Sequence, residues 1–170
     1  MSLREVFAFP EVVNDHAARC TAALVVTLAV ATMVAPSPAR TWLAAALVVG
    51  FVLRVAGGPR YSPFGRLSVH VLAPRVAAEP RLVAGEPKRF AQGVGLVVSA
   101  AVLGLLLAGL TAAGVALLGV LVAAALAEAA LGFCLGCWMY ARLQRAGVIA
   151  EDACVECADI WSRPGMTARG

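Results

Sequence analysis

Four long runs of apolar residues constrain the fold of this chain more than any other feature. Of its 170 residues, 61% are hydrophobic and only 14% are charged, whereas soluble domains carry about 25% charged residues. Ala, Gly, Val and Leu fill the runs without the polar and apolar alternation of a membrane β-strand. The sequence therefore predicts an all-α integral membrane protein, a bundle of four transmembrane helices.

The lengths of the runs and the residues that interrupt them predict where the helices lie. Pro36 and Pro38 end the first run, because proline cannot continue a helix. The second run is apolar for only about 15 residues, short of the roughly 20 needed to cross a bilayer, and Arg54 can extend it by snorkelling to the headgroups. A turn at 111–114 separates the last two runs. The predicted spans are about 17–35, 42–56, 90–110 and 115–140, within a single membrane domain covering 1–170.

Residues 57–89 form the predicted loop between the second and third spans, because hydrophobicity falls and prolines accumulate there. Ser62 and Pro63 are typical of a helix start. Apolar residues then recur at helical spacing until Pro74. We expect a short helix on the membrane surface, with an ordinary amphipathic packing helix as the alternative.

The basic residues predict the orientation of the bundle. Twelve of the 14 Lys and Arg residues fall before span one, in the 57–89 loop or after span four, whereas Arg40 alone marks the opposite end. By the positive-inside rule, both termini, the loop and the 141–170 tail are cytoplasmic in a multi-pass cell-membrane protein. We expect no removable signal peptide, because the first fifteen residues lack a basic start followed by an apolar stretch. Basic residues that flank apolar runs do not suggest nucleic-acid binding.

Four of the five cysteines form two Cys-x2-Cys pairs. Cys134 and Cys137 come at the end of the fourth apolar run, and Cys154 and Cys157 lie in the acidic tail. This spacing suits either two dithiol pairs or one four-thiolate metal site. Cys20, in contrast, fits an inert buried thiol.

Different observations favour the redox hypothesis and the metal-site hypothesis for the four cysteines. A cytoplasmic location keeps thiols reduced and favours zinc or iron. Placement of the first pair beside Phe133, Leu135 and Trp138 favours redox chemistry, because zinc sites normally use aqueous turns. On a continuous fourth helix, Cys134 and Cys137 would share one face, but at the C-terminal end, where the helix dipole disfavours a thiolate.

Glu128 is the only acidic residue in the fourth run. Charged residues inside a membrane usually face the bundle interior and have a partner. Arg54 is the predicted partner, in a structural ion pair. On a continuous helix, Glu128 would not share a face with Cys134 and Cys137.

Four motifs occur in order along the chain: Gly57-Gly-Pro-Arg-Tyr-Ser-Pro, Pro87-Lys-Arg-Phe-Ala, Gly132-Phe-Cys-Leu-Gly-Cys-Trp-Met-Tyr and Cys154-Val-Glu-Cys. Together they resemble the bacterial membrane family called domain of unknown function 4395. Members of that family are often encoded beside thioredoxin-like and rhodanese-like proteins, so the resemblance implies thiol or sulfane-sulfur chemistry by association. It supplies no catalytic residues.

The leading functional hypothesis is a membrane thiol-disulfide oxidoreductase or sulfur relay without a cofactor. In it, Cys154 and Cys157 exchange with a soluble thioredoxin-like or rhodanese-like partner and pass their oxidation state to Cys134 and Cys137. The alternatives are a structural membrane protein that holds zinc or iron with the same four cysteines, and a small sulfur-compound channel. The partners expected are the lipid bilayer, such a soluble protein and further copies of the chain in a homo-oligomer.

Overall fold

Four long helices pack side by side in the computed structural model, which describes residues 10–77 and 79–149. Four helical stretches are long and apolar enough to cross a membrane, Asp15–Val34, Ala39–Arg60, Gly85–Leu107 and Thr111–Leu131, which confirms the predicted all-α membrane class. The long helices are α1 (Asp15–Val34), α2 (Ala39–Gly57), α5 (Gly85–Leu107) and α6 (Thr111–Leu126). Each packs against two neighbours, in the ring order α1, α2, α5, α6.

The centre of the bundle is built from small and branched apolar side chains, among them Ala29, Ala44, Leu47, Val102 and Leu118. Small residues let membrane helices approach closely. The buried hydroxyl groups of Thr32 and Ser99 donate to carbonyls of their own helices, so they need no partner across the bundle. Large apolar side chains such as Val49 and Val97 point outward, as expected where lipid replaces water.

The loop between α2 and α5 holds a short interrupted helix against α1. It comprises α3 (Pro63–Leu67), a π-helical turn (Ser68–Leu72) and α4 (Ala73–Val76). Ser62 caps its start by accepting the Gly65 N–H, as the sequence predicts. The expectation that Pro74 ends the helix is wrong, because the helix continues through Pro74 to Val76.

Two short strands close the end of the bundle where α1 and α5 begin, and no feature of the sequence had indicated them. β1 (Val12–Asn14) pairs antiparallel with β2 (Leu82–Ala84). The Asp15 N–H also donates to the Arg81 carbonyl at 2.7 Å. This ladder fixes the starts of α1 and α5 beside each other.

The fourth apolar run is not one helix, so the prediction of a continuous span over 115–140 is wrong. α6 continues as a π-helical turn (Ala127–Leu131), and α7 (Leu135–Arg145) is a separate helix. Gly132 separates them with φ +71°, a left-handed conformation that glycine adopts without strain. The Arg19 side chain donates hydrogen bonds to the carbonyls of Ala129 and Ala130. These two backbone carbonyls at the end of the helix therefore have hydrogen-bond donors.

Candidate functional site

Cys134 and Cys137 lie at the N-terminus of α7, because the helix break precedes them. Cys134 is the N-cap residue, and its Sγ accepts the Cys137 backbone N–H at 3.4 Å. The sequence-based placement of this pair at the C-terminal end of a helix is therefore wrong. The positive end of the α7 dipole favours a thiolate at Cys134 by about 0.3–1 kcal/mol.

The two thiols are in direct contact, with their Sγ atoms 2.7 Å apart, and both are half-buried. A disulfide bond is about 2.05 Å long, so a small further approach would close it. The two sulfurs therefore lie close enough to react with each other.

The environment makes the two thiols chemically unequal. The hydrogen bond from the Cys137 thiol lowers the pKa of Cys134, and Lys88 and the Cys137 N–H act in the same direction against burial and Glu128. The same hydrogen bond raises the pKa of Cys137, and burial raises it further. Cys134 is thus the residue that ionises first, and Cys137 is the one that retains its proton.

Contacts with α5 fix the position of α7. A side-chain carbon at Gly136 would lie 2.5 Å from the Cα of Ala91, so only glycine allows the two backbones to approach this closely. The Tyr140 hydroxyl donates to Glu86 at 3.2 Å, and its ring lies 5.5 Å from that of Phe90. These contacts hold the dithiol against the bundle.

Glu128 does not pair with Arg54, so the predicted partner is wrong. Lys88 binds Glu128 at 2.8 Å and Asp15 at 3.1 Å, and it is almost fully buried. One lysine thereby joins α1, α5 and α6. The prediction that the loop extends to residue 89 is wrong, because α5 begins at Gly85, with Pro87 in its first turn, where proline is tolerated.

Arg54 is 4% exposed and forms no ion pair among the described residues, although the charge of Glu128 acts on it. Its guanidinium lies over the Phe51 ring, with Cζ 4.2 Å from the ring centroid. Within the described part of the chain, its Nε and Nη1 have no hydrogen-bond partner.

A cavity of about 140 Å³ lies inside this end of the bundle, lined by residues of all four long helices and of α7. Arg54, Gln92, Glu128 and Cys134 all line it, among mostly apolar neighbours. Glu128 and Cys134 therefore face a common space, contrary to the expectation for a continuous helix. The break at Gly132 is the reason, because it redirects the chain after α6.

The other predicted cysteines do not join this site in the described structure. Cys20 is a free, half-buried thiol on α1. Cys154 and Cys157 lie outside the described residues, so the predicted link between the two pairs stays a prediction. Within residues 10–77 and 79–149, three or more metal-binding side chains do not cluster.

The fold and the site define a multi-pass membrane protein that carries a dithiol at a helix N-terminus at one end of a four-helix bundle. The chain belongs to the family described as domain of unknown function DUF4395, whose model matches residues 13–145. Searches of curated proteins and of solved structures each found no match.

Proposed function

We propose that the protein is a membrane thiol-disulfide oxidoreductase in which Cys134 is the attacking thiol and Cys137 the resolving thiol. The observation that carries this proposal is the N-cap position of Cys134, with Cys137 in contact and hydrogen-bonded to it. Catalytic dithiols need one thiolate stabilised by a helix N-terminus and a neighbouring thiol that can displace it.

The exchange proceeds in two steps. The Cys134 thiolate attacks one sulfur of a partner's disulfide, forming a mixed disulfide and releasing the partner's other sulfur as a thiolate. Cys137 then loses its proton and attacks the Cys134 sulfur, which closes the internal disulfide and releases the second partner thiolate. Two electrons pass from the dithiol to the partner, and the reverse sequence oxidises a partner dithiol.

In the extended proposal, Cys154 and Cys157 form a second dithiol pair. This pair exchanges disulfides with a soluble thioredoxin-like or rhodanese-like protein on one side and with the dithiol of α7 on the other. Their separation from Cys137 along the chain is short, so a return of the tail to α7 is within reach. In the metal alternative, the same four cysteines would hold zinc or iron, and Cys134 and Cys137 would be ligands rather than reactive groups.

The direct test is mixed-disulfide trapping in cells. We expect Cys137→Ser to accumulate a covalent adduct through Cys134, because the resolving thiol is missing, and Cys134→Ser to give none. Thiol-reducible adducts would be identified by mass spectrometry, with Cys20→Ser as the matched control that leaves trapping unchanged. An adduct that persists in Cys134→Ser, or bound zinc that is lost on replacing Cys134, would contradict the proposal.

We further propose that the dithiol end of the bundle faces the cytoplasm. The starts of α1 and α5 and the end of α2 lie at this end, together with the loop that holds Arg60, Arg66, Arg75 and Arg81, and basic flanks stay cytoplasmic. A membrane-impermeant thiol label at Ser37→Cys should react from outside intact cells, and one at Arg66→Cys should not. Labelling in the opposite sense would overturn this orientation.

A further inference from the structure

The cavity beside Cys134 has the size and lining of a site for a small ring. Its volume of about 140 Å³ is comparable with the cavity of about 150 Å³ that holds benzene in another protein. Ala22, Val25, Phe51, Gly95 and Leu121 supply much of its wall. A flat ring carrying few polar atoms would fit this lining.

Two unpartnered polar groups give the cavity a hydrogen-bonding pattern. Arg54, at 4% exposed, leaves Nε and Nη1 without an acceptor, and Gln92 leaves Oε1 without a donor, among the described residues. Both side chains line the cavity. Buried polar groups are almost always hydrogen-bonded, and charged residues at membrane depth usually mark a binding site. A ligand that accepts a hydrogen bond from Arg54 and donates one to Gln92 would therefore complete the hydrogen bonding of both side chains.

The charges around the cavity favour a neutral ligand. Asp15, Lys88 and Glu128 form one ion-pair network with a formal charge of −1, and with Arg54 the four groups have a formal charge of zero. A bound anion would leave a net negative charge at membrane depth, which is costly. A neutral carbonyl compound accepts hydrogen bonds from Arg54 without that cost.

Three apolar residues of the cavity lining are also exposed on the surface of the bundle. They are Val120 on α6 and Leu135 and Met139 on α7. Val120 lies within the membrane-length stretch Thr111–Leu131, where the surface of the bundle faces lipid. A ligand dissolved in the bilayer can therefore reach the cavity from the side.

From these observations we infer that the cavity binds the headgroup of a lipid-soluble quinone, which oxidises the dithiol of Cys134 and Cys137. This inference rests on the proposed redox function. The Cys134 thiolate and the Cys137 thiol lose two electrons and form one S–S bond, and the quinone takes up both electrons. Its two protons come from the Cys137 thiol and from the medium, giving a hydroquinone. Arg54 donates to a carbonyl of the quinone, and Gln92 accepts from a hydroxyl of the hydroquinone.

The test uses reduced, purified full-length protein in lipid nanodiscs and two oxidants, a short-chain ubiquinone and a water-soluble aromatic disulfide. Loss of quinone absorbance and of free thiols is followed for each. We expect one quinone reduced per dithiol. In Arg54→Gln, the ratio of the quinone rate to the disulfide rate should fall by about tenfold or more, because a charged hydrogen bond to the quinone is lost.

Two further variants separate the site from general effects on folding. Arg40→Gln, at the other end of α2, should leave both rates unchanged. Val120→Trp, at an exposed residue of the lining, should slow quinone reduction by obstructing access to the cavity, and because the residue faces lipid the bundle should stay folded. Equal quinone rates in the wild type and Arg54→Gln would overturn the inference, as would protection of the dithiol by sulfate or thiosulfate that depends on Arg54.

The two proposals fail in different ways. Reaction with the aromatic disulfide through Cys134, without any quinone reduction, would overturn the quinone site and leave the thiol exchange standing. Failure to form a disulfide between Cys134 and Cys137 with either oxidant would overturn the exchange proposal and the quinone site together.

Discussion

Reduced protein is expected to be alkylated at Cys134 about tenfold or more faster than at Cys137 at neutral pH. The thiolate is the reactive form, and the Cys137 thiol lowers the pKa of Cys134 by donating a hydrogen bond while its own pKa is raised. As pH rises, the Cys134 rate should increase first and level off above the Cys134 pKa, whereas the Cys137 rate should still be increasing. Pulsed iodoacetamide labelling with peptide mass spectrometry measures both rates.

The control for this asymmetry is Cys137→Ala, which removes the hydrogen-bond donor. The Cys134 pKa should then rise, and the pH at which its labelling levels off should rise with it. Equal labelling rates for the two thiols, or an unchanged Cys134 profile in Cys137→Ala, would show that the helix N-terminus and the thiol contact do not activate Cys134.

Lys88→Met is expected to cost about 3–5 kcal/mol of stability, the largest effect that we predict for a single substitution outside the dithiol. It removes the lysine that pairs with the carboxylates of both Asp15 and Glu128, and removing one partner of a buried pair costs about this much. The 2.8 Å and 3.1 Å contacts that join three helices would be lost together. Steric trapping or thermal unfolding in detergent measures the change.

A mutant cycle shows whether these three charges act as one unit. Adding Glu128→Gln and Asp15→Asn to Lys88→Met should restore part of the lost stability, because the stranded charges are removed. Arg66→Met, an exposed basic residue of the loop, should change stability by less than about 0.5 kcal/mol. Purely additive losses would show that the three charges do not act as one unit, whereas rescue of Glu128→Gln by Arg54→Leu would support an Arg54–Glu128 pair instead.

The membrane class of the fold was predictable because composition and run length determine it. Apolar runs of about 20 residues are typical of transmembrane helices. Prolines at positions 36 and 38 mark the end of the first run. The break at Gly132 was harder to predict, because Leu131 and Phe133 continue the apolar pattern across it. A glycine two residues before a cysteine that can act as an N-cap was the available signal.

The partners of the buried charges could not be predicted, because they depend on tertiary contacts. The order of the spans suggests Arg54 as the partner of Glu128. The actual partner, Lys88, lies 40 positions before Glu128 and reaches its carboxylate from the start of α5. The sequence shows Arg19 only as a basic residue near the start of the first span, and its hydrogen bonds to the carbonyls of Ala129 and Ala130 depend on how two helices pack. The cysteine pair itself was identified from its spacing, but its chemical asymmetry follows only from the position of α7.

The most direct measurement for the proposed redox function is an equilibrium redox titration of the purified protein in a glutathione buffer series, with trypsin-cleaved peptides scored for a Cys134–Cys137 disulfide. The structure predicts a single two-electron transition for this pair, absent from Cys134→Ser and from Cys137→Ser and unchanged in Cys20→Ser. A pair that stays fully reduced across the series, or that keeps bound zinc throughout it, would contradict a redox role for the α7 dithiol.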